Sequence, residues 1–94
     1  MKNYVLIFRE KAIVDLEEIE FYYDQISAKI TNQFFAELRD SLNIIEHEPY
    51  LFQVRYKQIK IAPMQKFPYG IHYKILNDKI SILRVLHFKR FYKR

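Results

Sequence analysis

The sequence predicts an α+β domain in which a helical hairpin packs on one face of a mostly antiparallel, curved sheet, in the order β-α-α-β-β-β. Three observations support this fold class. Apolar residues recur with a helical period between residues 10 and 48. On both sides of that region, β-branched and aromatic residues run together or alternate. Pro49 divides the two patterns, so helices and strands are segregated along the chain. At 94 residues, positions 1–94 make a single domain.

The first strand and first helix follow directly from the opening residues. A short apolar run at residues 4–8 predicts a buried strand over 3–9. The next apolar side chains fall at i, i+4, i+7, i+11 and i+14, which is one face of a helix over residues 10–25. They are Ala12, Leu16, Ile19, Tyr23 and Ile26. We expect the acidic residues of this helix to form a solvated face: Asp15, Glu17, Glu18, Glu20 and Asp24.

The second helix is predicted to begin after Ser27, whose hydroxyl can cap it. Its apolar face consists of Ile30, Phe34, Leu38, Leu42 and Ile45, widened by Phe35 and Ile44. Pro49 ends it, because the residue before a proline is pushed out of the α region. Since one or two residues separate the helices, they form an antiparallel hairpin.

Three strands are predicted after Pro49, over residues 54–61, 67–76 and 80–88, with a loop at 62–66 and a turn at 77–79. In the second of them Phe67, Tyr69, Ile71, Tyr73 and Ile75 share one face, and Gly70, His72 and Lys74 share the other. The last strand is apolar on both faces and is therefore expected at the centre of the sheet. The predicted core comprises Leu16, Ile19, Phe34, Leu38, Ile71, Tyr73, Ile82 and Leu86.

Charge divides the chain into two unlike halves. Residues 1–49 hold five Lys/Arg and ten Asp/Glu, a net of −5, whereas residues 50–94 hold eleven Lys/Arg and one acid, a net of +10. Five tyrosines are interleaved with the cations of the second half. This combination suits nucleic acid, through phosphate neutralisation and base stacking. It equally suits an acidic or hydrophobic peptide laid along a sheet edge, or a merely solvated basic face.

Several function classes are excluded. The chain has no cysteine, and its three histidines show no metal-ligand spacing, so we expect neither a metal nor a cofactor. The only glycine is Gly70, which rules out a glycine-rich phosphate loop. The longest apolar run has five residues, far below the roughly 20 of a membrane span. A cytoplasmic protein without membrane partners is expected.

His87 is the one candidate for acid–base chemistry. It closes the last strand and precedes Lys89 and Arg90, and an unperturbed imidazole titrates near pH 6.5. Catalysis by these three residues would need them to converge on one phosphate, which an extended strand end does not allow unless the tail turns. The alternative is a histidine that only hydrogen-bonds a neighbour at a strand end.

Ordered motifs resemble those of the RelE/ParE toxin superfamily, and most closely its ParE-like branch. Residues 67–75 are similar to the F-P-Y-x-I-x-Y strand of ParE-like toxins, and residues 82–90 to their closing strand ending in V-x-H-x-x-R. The first helix is similar to the A-x-x-D-L-x-x-I-x-x-Y-Y pattern from Ala12 to Tyr23. The second helix and the segment that follows it also match, through Phe34, Leu38, Leu42, Ile45, Pro49, Phe52 and Arg55.

This resemblance implies a toxin of a bacterial type II toxin–antitoxin pair, neutralised by a cognate antitoxin. ParE-like members inhibit DNA gyrase, whereas RelE-like members cleave messenger RNA on the ribosome. The nucleases carry an arginine in a Y-R-x-x-Y strand, and Gly70 stands at that arginine's place here. The gyrase inhibitor is therefore favoured over an enzyme. In the alternative, His87, Lys89 and Arg90 would be catalytic. The expected target- or antitoxin-binding residues are Arg55, Lys74, Arg84, His87, Lys89 and Arg90.

Overall fold

Five strands form one sheet, and two long helices pack against it. The computed structural model describes residues 4–91, with side chains as far as residue 89. In chain order the elements are β1 (Val5–Phe8), α1 (Glu10–Asp24), α2 (Ala28–His47), β2 (Val54–Tyr56), β3 (Ile59–Pro63), β4 (Tyr69–Leu76), β5 (Lys79–His87) and α3 (Phe88–Phe91). The sheet order is β1-β5-β4-β3-β2. Only β1 and β5 are parallel. The predicted α+β class, helical hairpin and mostly antiparallel sheet are confirmed.

The helical hairpin forms where the apolar periodicity placed it. Ser27 caps α2 by accepting a hydrogen bond from the amide of Ile30 at 3.1 Å, as its position predicted. α2 ends at His47, two residues before Pro49. α1 ends at Asp24, so Ile26, which we had placed on its apolar face, lies beyond the helix and is exposed.

The strand predicted over residues 54–61 is divided into two by a tight turn. Lys57 and Gln58 have φ values of 44° and 67°, in the left-handed region, and reverse the chain between β2 and β3. Such turns usually contain Asn or Gly, which this segment lacks, so no residue type indicated the turn. β3 also continues to Pro63 into the predicted loop, and Pro63 pairs with Gly70 of β4.

β5 is an interior strand, flanked by β1 and β4 as expected for a strand that is apolar on both faces, and a bulge interrupts its alternation. Ile82 pairs with Tyr73 and Arg84 pairs with His72, so Leu83 is an extra residue. Beyond it the two faces exchange, because one inserted residue reverses the phase of a strand. Val85 is thereby buried opposite Ile71. Leu86, which we had predicted in the core, is only half-buried, and that prediction was wrong.

The core lies between the helices and the sheet. Its buried members from the sheet include Ile71, Tyr73, Ile80, Ile82 and Val85, and from the helices Ala12, Ile19, Phe34, Leu38 and Ile45. The hydroxyl of Tyr73 donates to the carbonyl of Pro49 at 2.7 Å, and burial raises the pKa of this phenol. This bond ties the end of α2 to the middle of the sheet.

Candidate binding cleft between the first helix and the sheet

Asp15 anchors α1 to β5. Its carboxylate accepts hydrogen bonds from Arg84 Nε at 2.8 Å, Arg84 Nη2 at 3.0 Å and the amide of Val85 at 2.9 Å. β1 covers β5 only as far as Ile82, so the Val85 amide has no strand beside it and the carboxylate takes that place. Asp15 is 5% exposed, which corrects our prediction that it belongs to a solvated face.

The guanidinium of Arg84 lies at the partly exposed edge of the contact with Asp15. Its side chain is 35% exposed, and the hydrogen bond to Asp15 is the main reason that the pKa of its guanidinium is raised further. Two of its nitrogens are committed to one carboxylate. Arg84 was predicted to bind a target or antitoxin, and that role stays a prediction.

A buried histidine lies beside Arg84. His72 is 1% exposed, pairs with Arg84 in the β4–β5 register, and its Nδ1 is 2.8 Å from the hydroxyl of Tyr56. Burial lowers the pKa of His72 to about 4, the charge of Arg84 lowers it as well, and Asp15 opposes both. The imidazole is therefore neutral at pH 7. Sequence reasoning singled out His87 and missed His72, because a histidine on the polar face of an alternating strand looks solvated.

Gly70 is required by packing. It is buried in β4, and a Cβ built there would lie 2.8 Å from Ile61 Cγ2 and 3.1 Å from Phe88 Cε1. Its φ is not in the left-handed region, so the constraint is space and not backbone conformation. A Cβ at this position would therefore require Ile61 or the ring of Phe88 to shift.

The chain turns immediately after β5. The Phe88 amide donates to the carbonyl of Pro68 at 2.9 Å, and α3 begins, so β5 stops one residue short of our prediction. The Lys89 amide donates to His87 Nδ1 at 3.0 Å. Nδ1 is therefore an acceptor in this contact, which leaves Nε2 as the ring nitrogen that can donate a hydrogen bond. This is the arrangement of a histidine that stabilises a strand end.

His87 nevertheless lines a cleft of about 400 Å³ between α1 and the adjoining ends of β4 and β5. α1 contributes Asp15, Glu18, Ile19, Tyr22 and Tyr23, and the sheet side contributes Pro68, Tyr69, Val85 and His87. The His87 ring packs edge-on against Tyr69 with centroids 5.3 Å apart. Burial raises the pKa of the Tyr23 phenol. A hydrogen bond between the Tyr23 and Tyr69 side chains lowers this pKa by a smaller amount.

The six predicted binding residues do not form one patch. Arg84, His87 and Lys89 lie near one end of β5. Lys74 pairs with Ser81, five residues along β4 from the Tyr69–His87 pair, or about 17 Å away. Arg55 is exposed on β2, at the far edge of the sheet. The backbone of Arg90 lies in α3, and its side chain is outside the described residues.

A second hollow runs along the outer face of α2. Its volume is about 680 Å³, and its lining includes Ile30, Ile44, Phe67 and the acidic Glu37 and Asp40. Glu37 also accepts hydrogen bonds from the backbone amides of Gln65 and Lys66, which fixes the β3–β4 loop against the helix. Ile44, which we expected to widen the buried face of α2, is 47% exposed here.

No helix within residues 4–91 is long and apolar enough to cross a membrane. Across the same residues, no group of three or more His, Asp or Glu is arranged to hold a metal ion.

Comparison with known proteins places these features in a family. A family model described as the ParE toxin of the type II toxin–antitoxin system parDE matches residues 6–92. A solved structure titled as the chromosomal ParDE toxin–antitoxin system from P. aeruginosa is similar over 89% of this chain and 95% of that chain, with a TM-score of 0.78. Its sequence identity is 14%, so this likeness concerns the fold. No curated protein sequence matched the chain.

Proposed function

Because the chain belongs to the ParE toxins of type II toxin–antitoxin systems, we propose that it inhibits DNA gyrase by binding and that a cognate antitoxin neutralises it. The tight packing around Gly70 is the observation that favours gyrase over messenger RNA as the target. An RNA-cleaving relative would need an arginine at this position to stabilise the charge on the scissile phosphate. Even a Cβ here would lie 2.8 Å from Ile61 Cγ2 and 3.1 Å from Phe88 Cε1, so a side chain fits only if these neighbours shift.

Two side chains that could serve a nuclease are engaged in contacts within the fold. A phosphate-cleaving site must bring a base and a cationic clamp to one phosphate. Arg84 is engaged by Asp15, and Nδ1 of His87 accepts the amide of Lys89. These contacts favour a toxin that binds its target over one that cleaves RNA. Messenger RNA cleavage on the ribosome is the alternative that the test must separate.

The test combines two assays on the intact chain. Expression without the antitoxin should arrest growth, and purified protein should inhibit supercoiling by gyrase while transcripts stay uncut. Cleavage mapping would compare wild type, His87→Ala and His47→Ala. His47 is the control because it is exposed at the end of α2, away from the cleft. Ribosome-dependent cuts that vanish in His87→Ala and persist in His47→Ala would overturn gyrase inhibition in favour of a nuclease.

The antitoxin is a segment whose acidic residues meet the basic sheet and whose apolar residues enter the hollow along α2. The charge division of the chain supports this, since opposite potentials steer association. Ile44 exposes an apolar side chain in this hollow, which an apolar residue of the antitoxin would bury. We expect Lys74→Glu to slow association at low salt and Lys29→Glu, on the exposed face of α2, to change it less. A complex that avoids Arg55, Lys74, Arg84 and Arg90 altogether would contradict this proposal.

A further inference from the structure

We propose that the cleft between α1 and the ends of β4 and β5 binds the side chain of a single arginine from a protein partner. The inference does not depend on whether that partner is gyrase or an antitoxin. It rests on the aromatic walls of the cleft, its size and its negative charge. This charge is opposite to that of the basic surface on which the proposed function relies.

Two aromatic pairs form the walls. On α1, Tyr22 and Tyr23 pack edge-to-face with centroids 5.2 Å apart. On the sheet side, Tyr69 and His87 pack in the same manner at 5.3 Å. The two pairs meet where Tyr23 contacts Tyr69, with centroids 6.5 Å apart, so that contact closes the base and the cleft opens between Tyr22 and His87. Tyr22 is 58% exposed, so its ring is presented to an incoming group. A planar guanidinium stacks well on such rings through cation–π attraction.

The charge of the cleft is negative. Among the residues whose side chains the structure describes, the charged ones that line it are Asp15 and Glu18, and none is a lysine or an arginine. The charge of Asp15 is balanced by Arg84. Glu18 is exposed and forms no ion pair with any described residue. Its charge raises the pKa of Arg84 only slightly, from a longer distance. An entering cation would therefore have Glu18 as its partner.

The cleft is large enough to admit an arginine side chain. Its volume of about 400 Å³ lies near the lower end of the range of about 300–1,000 Å³ for small-ligand sites. A nucleotide or other phosphate ligand is disfavoured, because Glu18 would repel it and no cationic side chain among the described residues lines the walls to receive it. The arginine of a protein chain fits both the volume and the charge.

The experiment uses a model compound and the full chain. An isotope-labelled sample would be titrated with N-acetyl-arginine methylamide at pH 7.5, and the amide resonances followed by NMR. N-acetyl-citrulline methylamide is the neutral control, since it has nearly the same shape without the charge. We expect saturable shifts at Tyr22, Tyr69 and His87 with the arginine compound and much smaller ones with citrulline.

Two variants test the assigned partner. Glu18→Gln should weaken binding of the arginine compound about fivefold, as expected for loss of an exposed ion pair worth about 1 kcal/mol. Glu17→Gln is the matched control, because Glu17 is exposed on the same helix and does not line the cleft. Circular dichroism would show that both variants fold.

Three results would overturn the proposal: equal binding of the citrulline compound, equal weakening by the two glutamine variants, or no saturable shift in the cleft. Shifts confined to the Lys74 end of the sheet would also contradict it. A negative result in this titration would not contradict the proposed inhibition of gyrase, because the gyrase assay measures supercoiling and not the occupancy of the cleft.

Discussion

Asp15 and Arg84 are 69 residues apart in the chain and are joined by two hydrogen bonds of 2.8 and 3.0 Å. The same carboxylate binds the Val85 amide, so one side chain of α1 both holds the Arg84 guanidinium and satisfies the backbone of β5 beyond the end of its pairing with β1.

Asp15→Asn should lower the free energy of unfolding by about 1–3 kcal/mol, because hydrogen bonds to a charged group are lost while a neutral acceptor for the Val85 amide remains. The partial exposure of Arg84 keeps the loss below that of a fully buried pair. Urea unfolding would measure it. Glu17→Gln, on the exposed side of the same helix, should stay within about 0.5 kcal/mol of wild type. Equal stability of the two variants would show that the Asp15 contacts contribute little.

Gly70→Ala should destabilise the fold by about 1–3 kcal/mol through overpacking against Ile61. Adding Ile61→Leu should recover part of the loss, since leucine lacks the γ2 methyl that the new Cβ would meet. Ile61→Val keeps that methyl and is the control that should not recover it. The double variants would be compared with their single parents by thermal melting. Recovery by valine as much as by leucine would place the clash elsewhere, for example at Phe88.

Leu38→Ala should cost about 2–5 kcal/mol of unfolding free energy, because Leu38 is only 6% exposed and its truncation leaves a cavity. Leu86→Ala is a test of the bulge. With Leu86 half-buried on the opposite face, its truncation should cost clearly less. Chemical denaturation of both variants decides the matter, and a larger loss at Leu86 would contradict the strand register.

Stability should fall as the pH is lowered from about 6.5 to about 4, in part because of His72. Its folded-state pKa lies below the value of the unfolded chain, so the unfolded state binds more protons in this window. The contribution is complete above pH 6.5, and its slope is at most about 1.4 kcal/mol per pH unit. His72→Gln should flatten this part of the unfolding profile relative to wild type.

His47→Gln is the control for that measurement, since His47 is exposed at the end of α2. It should retain the wild-type slope between pH 6.5 and 4. If His47→Gln flattened the profile and His72→Gln did not, the buried histidine would not be the group that titrates.

Periodicity was sufficient to predict the helices, their hairpin and the central place of β5, because those features depend on which apolar residues must be buried. It failed where a tertiary contact reversed a local preference. Asp15 lies among acids on an amphipathic helix, and only the missing strand beside Val85 explains its burial. The bulge at Leu83 has no signal of its own, since both phases of that strand are apolar.

The candidate site was predictable only in part. Motif order pointed to the closing strand, and His87 does line the cleft. The wall formed by Tyr22 could not be foreseen, because a tyrosine off the apolar stripe could equally pack beneath the second helix. Lys74 and His87 were predicted together as binding residues, although the predicted turn at residues 77–79 already sets them at opposite ends of the β4–β5 hairpin.

The position of β5 between β1 and β4 also governs the order in which the domain can assemble during synthesis. β5 follows every other described strand in the chain, yet it supplies the neighbour that both β1 and β4 need. A nascent chain that has not yet exposed β5 can form its helical hairpin and the β2–β3–β4 meander, but β1 has nothing to pair with. Contacts of such long range slow folding. The two halves of the sheet are therefore joined only when the last strand leaves the ribosome.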